Sequence, residues 1–426
     1  MSFRADAAFA THLDQDDPLA HYRDKFHIPH YAEGEEIYLC GNSLGLQPKT
    51  VERFLREELE DWQRLAVKAH FAGRRPWMPY HELLTAKTAH LVGAELQEVV
   101  NMNSLTANLH LMLVSFYRPT QARHRILIER GAFPSDRYAL ASQLRFHGFD
   151  PGVNLVELAP QKGRATLNTG EIEAAIRAEG EQLALVLLPG VQYYSGQAFD
   201  IERLARAAHS AGAVAGFDLA HAAGNLPLKL HNWNVDFAVW CSYKYLNAGP
   251  GAVAGCFVHA RHACVFDGPR FAGWWGHDKT TRFRMHPEFV PMEGAEGWQL
   301  SNPPILALAP LLASLEIFEE AGMQGLREKS LRLTGYLEFL LDLRLADEVE
   351  ILTPRNPAER GCQLSLRLRG STQRAREVFR QLEAHGVTAD WREPDVIRVA
   401  PVPLYNTYTD VYRFVDLLKA VLRAGK

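Results

Sequence analysis

Ala184–Asp218 reads ALVLLPGVQYYSGQAFDIERLARAAHSAGAVAGFD, and this stretch decides the fold. Its ends, Ala184–Leu188 and Ala213–Asp218, are short apolar runs of strand type. Between them Ile201, Leu204, Ala205 and Ala208 fall at helical spacing within Ile201–Ala211. A helix flanked by two apolar strands is a βαβ unit, and such units imply a parallel sheet covered on both faces. Arg125–Glu129 (RILIE) adds a strand upstream. Phe237–Ser242 (FAVWCS) and Val253–His259 (VAGCFVH) add two more, joined by a Gly-rich turn, so the sheet is expected to be mixed but mostly parallel.

From Pro303 the pattern changes. Ile305–Glu320 and Met323–Leu343 have the spacing of long amphipathic helices. An alternating strand Cys362–Leu368, a helix Thr372–His385, a strand Val396–Val399 and a helix Val411–Leu422 follow. This order predicts a separate small α+β domain. The expected division is an N-terminal segment 1–60 packing against the rest, a large α/β domain 61–309 with helices on both faces of its sheet, and a small C-terminal domain 310–426. The first 45 or so residues are equally compatible with packing on either domain.

The chain has 426 residues, enough for two or three domains at about 150 residues each. Its formal net charge of −4 lacks the basic excess that nucleic acid or an anionic membrane surface requires. The cysteines, Cys40, Cys241, Cys256, Cys264 and Cys362, are odd in number and scattered, with no CxxC pair. They are expected to be reduced thiols in a cytosolic setting rather than zinc ligands or disulfides. Met1–Gln15 has no apolar core of a signal peptide, and no run reaches the ~18 apolar residues of a membrane span. A soluble, cytoplasmic protein is expected.

Chemistry concentrates between Ala213 and Gly255. One strand ends at Asp218, His221 follows, and the next strand ends in Ser242-Tyr243-Lys244. In open α/β sheets ligands bind at the carboxyl ends of strands. There a lysine can form an imine with an aldehyde cofactor, and an acid can keep a pyridinium nitrogen protonated. Judged alone Lys244 is a solvated surface lysine and Asp218 a turn cap. Yet Lys244 follows an apolar strand and precedes Tyr245–Gly251 (YLNAGPG), a poor place for an idle charge. In Asn101–His110 (NMNSLTANLH), Ser104 or Thr106 is expected to cap a helix whose free N–H groups favour a phosphate, although most such caps bind nothing. Phe133-Pro134-Ser135-Asp136 is either a turn or an aromatic platform for a ring. Arg398 is either a surface ion pair or a two-pronged clamp for a carboxylate. Gly249–Gly255 is one residue too long for a dinucleotide fingerprint and joins two strands. His259 and His262 lack an evident third ligand, so no metal is expected.

Assembled, these motifs resemble the kynureninase family, fold type I pyridoxal-phosphate (PLP) enzymes of the aminotransferase superfamily. The resemblance runs from YLCGNSLG (Tyr38–Gly45) through NSLTANLH, FPSD, GVQYYSGQ (Gly190–Gln197), FDLAHAAGN (Phe217–Asn225), CSYKYLNAGPG (Cys241–Gly251), GWWGH (Gly273–His277) and QLSNPP to RVAPVPLYN (Arg398–Asn406). It implies that Lys244 is the Schiff-base lysine, that Asp218 pairs with the pyridine nitrogen, and that Phe133 and His221 lie against the ring. Asp136 becomes a second acid near the cofactor. Leu105, Thr106, Pro134, Ser135 and Ser195 join the cofactor set. Tyr243 contacts the phosphate and serves as general acid. Trp274 and Asn302 reach the site of a neighbouring subunit, which implies a homodimer with shared active sites. His70 and Asn302 meet the substrate's aromatic end, and Arg398 its carboxylate.

The reaction implied is hydrolysis of the Cβ–Cγ bond of L-kynurenine to anthranilate and L-alanine, within tryptophan catabolism or pyridine-nucleotide synthesis. Because His70 and Asn302 are polar, turnover of 3-hydroxykynurenine is expected as well. The nearest rival, a cysteine desulfurase, needs a mobile loop cysteine, and neither Cys264 nor Cys362 is placed as one. A silent PLP-binding protein is disfavoured because Lys244, Asp218 and Arg398 are all present.

Overall fold

The computed structural model describes residues 3–32, 34–263 and 267–424. Cys264, weighed above as a nucleophile, lies outside the described residues. The larger sheet is built from β1 Val99–Asn101, β2 Arg125–Glu129, β3 Leu155–Leu158, β4 Leu183–Pro189, β5 Val214–Asp218, β6 Phe237–Trp240 and β7 Gly255–Val258. In space they lie β1-β7-β6-β5-β4-β2-β3. The five strands from β6 to β3 are mutually parallel, and β7 runs against both β6 and β1. The mixed, mostly parallel sheet expected from sequence is therefore present. Its strands are apolar because helices cover both faces. One of these, Ile201–Ser210, starts where Asp200 caps the Arg203 N–H at 3.1 Å, and it buries Ile201, Leu204, Ala205 and Ala208.

The smaller sheet comprises β8 Val349–Ile351, β9 Leu364–Leu368, β10 Asp390–Arg392 and β11 Val396–Val399, antiparallel in the order β8-β9-β11-β10. Leu337 and Leu340 of the helix Met323–Leu345, Val378 of Thr372–Ala384 and Phe414 of Tyr408–Ala424 share its core. The helix Ala7–Gln15 adds Phe9, Ala10 and Leu13 to that same core, and Ile37–Tyr38 pairs in parallel with Val387–Thr388. Tyr22, Phe26 and Leu46 instead join the core under the large sheet, so the chain's start packs on both parts, a choice its sequence left open. The helix Ile305–Ala321, by contrast, gives Leu308, Leu312 and Leu315 to the core under the large sheet.

Two local expectations are corrected. β6 stops at Trp240 rather than Ser242, and β7 begins at Gly255 rather than Val253. The intervening residues leave the ladder because they close on themselves: Asn247 N–H donates to Lys244 O at 3.0 Å and Ala248 N–H to Ser242 O at 3.0 Å. Lys244 therefore stands on a tight loop beyond the strand.

Candidate active site

The carboxyl ends of β2, β4 and β5 open into one pocket. Its walls are Leu105, Thr106, Glu129, Phe133, Ser135, Asp136, Pro189, Val191, Tyr193, Asp218, Ala220, His221, Tyr243 and Lys244. Parallel strands aim their carboxyl ends the same way, so residues that end them meet although far apart in sequence. Lys244 Nζ lies 3.0 Å from His221 Nε2 and 5.7 Å from the centre of the Phe133 ring. Burial, then the nearby charges of Lys244, Arg398 and Arg392, push the His221 imidazole well below its ordinary value. His221 is thus neutral at physiological pH and offers Nε2 to the amine as an acceptor.

Asp218 is buried at the end of β5. Its Oδ1 accepts the Ala220 N–H at 2.7 Å, so it caps a turn as well as facing the pocket. It also shares a hydrogen bond with Asp136, in the first turn of the helix Pro134–Phe146. Pro134 begins that helix, where a missing N–H costs nothing. Burial raises both carboxyls above the ordinary range, and for Asp136 the Asp218 charge adds to it. Two carboxyls joined by a hydrogen bond hold a proton between them.

Two helix starts meet at the other end of the pocket. Thr106 Oγ1 and Ser135 Oγ are 2.8 Å apart, which ties the helix Leu105–Phe116 to Pro134–Phe146. Ser104 occupies the cap position of the first, but its side chain makes no capping bond, and Thr106 bonds Ser135 instead. The capping expectation is thus corrected in detail, while the helix start still opens toward the pocket through Leu105 and Thr106. Tyr243 is half-buried beside them, and burial together with Cys241 pushes its hydroxyl above the ordinary tyrosine value.

The lysine loop is held from the N-terminal segment. The Gly45 N–H donates to Tyr243 O at 2.8 Å, and a Cβ on Gly45 would lie 2.3 Å from both Lys244 O and Asn247 Oδ1. Only glycine lets the backbones approach so closely. Gly45→Ala is expected to cost about 1–3 kcal/mol, as overpacking does, and to displace the Lys244 loop. Denaturant unfolding checks this, and an unchanged midpoint would contradict it.

Arg398 borders the pocket from the small sheet. It is fully buried, its Nη1 donates to Tyr193 O at 2.7 Å, and its Nη2 pairs with Asp390, directly across the ladder. Of the two sequence readings, the surface ion pair is corrected to a buried one. Ser195 is buried but does not line the pocket, and its Oγ lies 3.3 Å from the Gln197 N–H. His70 bonds Val67 O at 3.0 Å and stands edge-on to Trp77, away from the pocket. Trp274 is 42% exposed against Phe283, and Asn302 is exposed. His70, Trp274 and Asn302 are thus not brought to this chain's own pocket.

Sequence reasoning missed Glu129, Tyr193 and Asp390. Glu129 had a usable signal, since RILIE is an apolar strand ending in an acid, the same feature that singled out Asp218. His259 lies with Glu98 and His231 rather than forming a site with His262. Glu98 there accepts from His231 at 2.9 Å and from the Ala260 N–H at 2.7 Å, so these groups satisfy one another.

Orphaned buried atoms test whether a pyridoxal phosphate suits the pocket. His221 Nδ1 and one carboxyl oxygen each of Asp136 and Glu129 have no partner. A lysine, paired acids, an aromatic ring and a helix start are the groups such a cofactor needs. The fold and this site define the chain's class, that of the fold type I PLP-dependent enzymes. By fold it is similar to a cysteine desulfurase of Thermococcus onnurineus NA1 (TM-score 0.74, 17% identity, 99% of each chain). A cysteine desulfurase of Escherichia coli is comparable (TM-score 0.77, 17% identity, 95% of this chain and 98% of that one). Residues 326–418 match the kynureninase C-terminal domain. The chain is 59% identical over 415 residues to a kynureninase of Koribacter versatilis, covering 97% of each, and 57% identical over 422 residues to that of Myxococcus xanthus, covering 99% of this chain and 98% of its relative. It belongs to the kynureninase family.

Proposed function

We propose that this chain uses pyridoxal 5′-phosphate to hydrolyse L-kynurenine, and 3-hydroxy-L-kynurenine, at Cβ–Cγ, giving anthranilate or its 3-hydroxy form and L-alanine. The convergence of Lys244, His221, Asp218 and Asp136 at the strand ends carries this reading. The bound cofactor supplies an electron sink for the substrate's Cα. The chain's own residues do the rest. Lys244 tethers the cofactor and then moves a proton from the substrate's Cα. Asp218, steadied by Asp136, holds the ring nitrogen. Phe133 covers one ring face, with Pro134 setting the helix start behind it. The helix start at Leu105 and Thr106, with Ser135, receives the phosphate, while Ser195 belongs to the cofactor set by family resemblance alone. Tyr243 donates to the side-chain carbonyl oxygen as charge develops there, and Arg398 holds the substrate's carboxylate.

The family's fold neighbours include cysteine desulfurases, but this chain lacks their nucleophile among its described residues. Cys241, Cys256 and Cys362 are buried and Cys40 is partly so, and burial pushes the thiols of Cys40 and Cys362 up to about 12. Trp274 and Asn302 are on the surface of their own chain, which supports a homodimer in which each completes the partner's site. The same reading divides the chain into an N-terminal segment, a large cofactor-binding domain and a small C-terminal domain, and places the enzyme in the cytoplasm. No helix among the described residues is long and apolar enough to cross a membrane.

Adding the cofactor is expected to produce the absorbance band of a lysine-linked pyridoxal, and a protein that never shows it would sink the proposal. Asn302→Thr is expected to change the ratio of kcat/KM for the two substrates by about 10-fold, the worth of one ring-hydroxyl hydrogen bond of about 1.4 kcal/mol. An unchanged ratio removes Asn302 from the aromatic subsite.

A further inference from the structure

Three carboxyls from three different elements line one pocket: Glu129 at the end of β2, Asp136 in the first turn of Pro134–Phe146 and Asp218 at the end of β5. All three are buried. Lys244 is the cation among the lining residues, and its Nζ is hydrogen-bonded to neutral His221. Arg398 and Arg392 approach from the small sheet, but both are tied to Asp390. The remaining polar side chains of the lining, Thr106, Ser135, Tyr193 and Tyr243, cannot carry a positive charge. One cation cannot balance three buried carboxylates, because each further charge is desolvated and repelled by its neighbours.

Hydrogen bonds distinguish the members of this trio. Asp218 accepts the Ala220 N–H and shares a bond with Asp136. Asp136 Oδ1 and Glu129 Oε2 are both buried without a partner, but Asp136 has its bond to Asp218, whereas Glu129 has none to another side chain among the described residues. A buried carboxylate that receives no donor from another side chain is costly, so Glu129 keeps its own proton near neutral pH, beside the one that Asp136 and Asp218 share. We infer that Glu129 is a positioning residue: its uncharged carboxyl leaves Asp136 and Asp218 to share one negative charge toward the ring nitrogen. Burial, with Asp218 adding to it, pushes Glu129 up to about 8, in agreement with the geometry. Loss of its proton above that pH adds a second negative charge beside Asp218. That charge strengthens the hold on a protonated ring nitrogen, so Glu129 couples the cofactor's electronics to pH.

The inference rests on the cofactor reading above, and two measurements keep the two separable. The first is the pH titration of cofactor absorbance in the loaded enzyme and in its Glu129→Gln variant. An inflection near pH 8 is expected in the parent and absent from the variant. Superimposable curves overturn the proposal. The second uses the parent alone, in case the variant fails to fold or to load. Infrared difference spectra across the same range, with or without cofactor, are expected to lose one protonated-carboxyl signal with a midpoint near 8. A carboxyl signal that does not change over that range overturns the proposal whatever the variant does. A parent protein that never loads cofactor instead defeats the functional reading, while the infrared titration still reports on Glu129.

Discussion

Replacing Lys244 by alanine is expected to lower kcat by about 10⁴-fold, the upper end of what one positioned acid–base group contributes. The loss is large because one amine has two duties. It tethers the cofactor, and it carries the proton away from the substrate's Cα. Its place supports both. Lys244 stands on a loop closed by the Asn247 N–H on its own carbonyl, and Nζ rests on neutral His221, an acceptor that adds no competing charge. Steady-state anthranilate formation measures the effect, and the absorbance band of lysine-linked cofactor should vanish in the same variant. A Lys244→Ala enzyme that keeps its rate would remove the amine from the chemistry.

Tyr243→Phe is expected to lower kcat by about 10²–10⁴-fold while leaving KM and the cofactor band nearly unchanged. Burial and the neighbouring Cys241 raise the Tyr243 hydroxyl above its ordinary value, so it stays protonated throughout the neutral range. It is therefore a donor, suited to a carbonyl oxygen that gains negative charge when water adds. The substituted ring keeps its packing, so an unchanged kcat with a weaker hold on the cofactor would show that Tyr243 only binds the cofactor's phosphate end.

Much of this was legible in the sequence because apolar strands covered by helices leave an unambiguous pattern. The βαβ unit around Ile201–Ser210 and the reversed strand β7 follow from such runs alone. Nine of the expected pocket residues, including Lys244, Asp218, Asp136 and His221, do converge on one pocket. What was illegible has physical causes. The packing of Ala7–Gln15 on the small sheet depends on contacts with residues nearly 400 positions away, which no local period encodes. Asp390 opposes Arg398 through strand register, and that pairing is invisible until β10 and β11 are aligned. Glu129 was overlooked for a different reason. Its acidic side chain ends an apolar strand as Asp218 does, but no neighbouring residue drew attention to it. His70, Trp274 and Asn302 rest on family resemblance alone, since one chain does not bring them to its own pocket.

The most direct test adds L-kynurenine to the cofactor-loaded protein and follows anthranilate fluorescence, with alanine measured in the same reaction. Equal amounts of anthranilate and alanine, formed catalytically, are the predicted result. A protein that binds the cofactor but forms no anthranilate, or that instead releases sulfur from cysteine, would contradict the account.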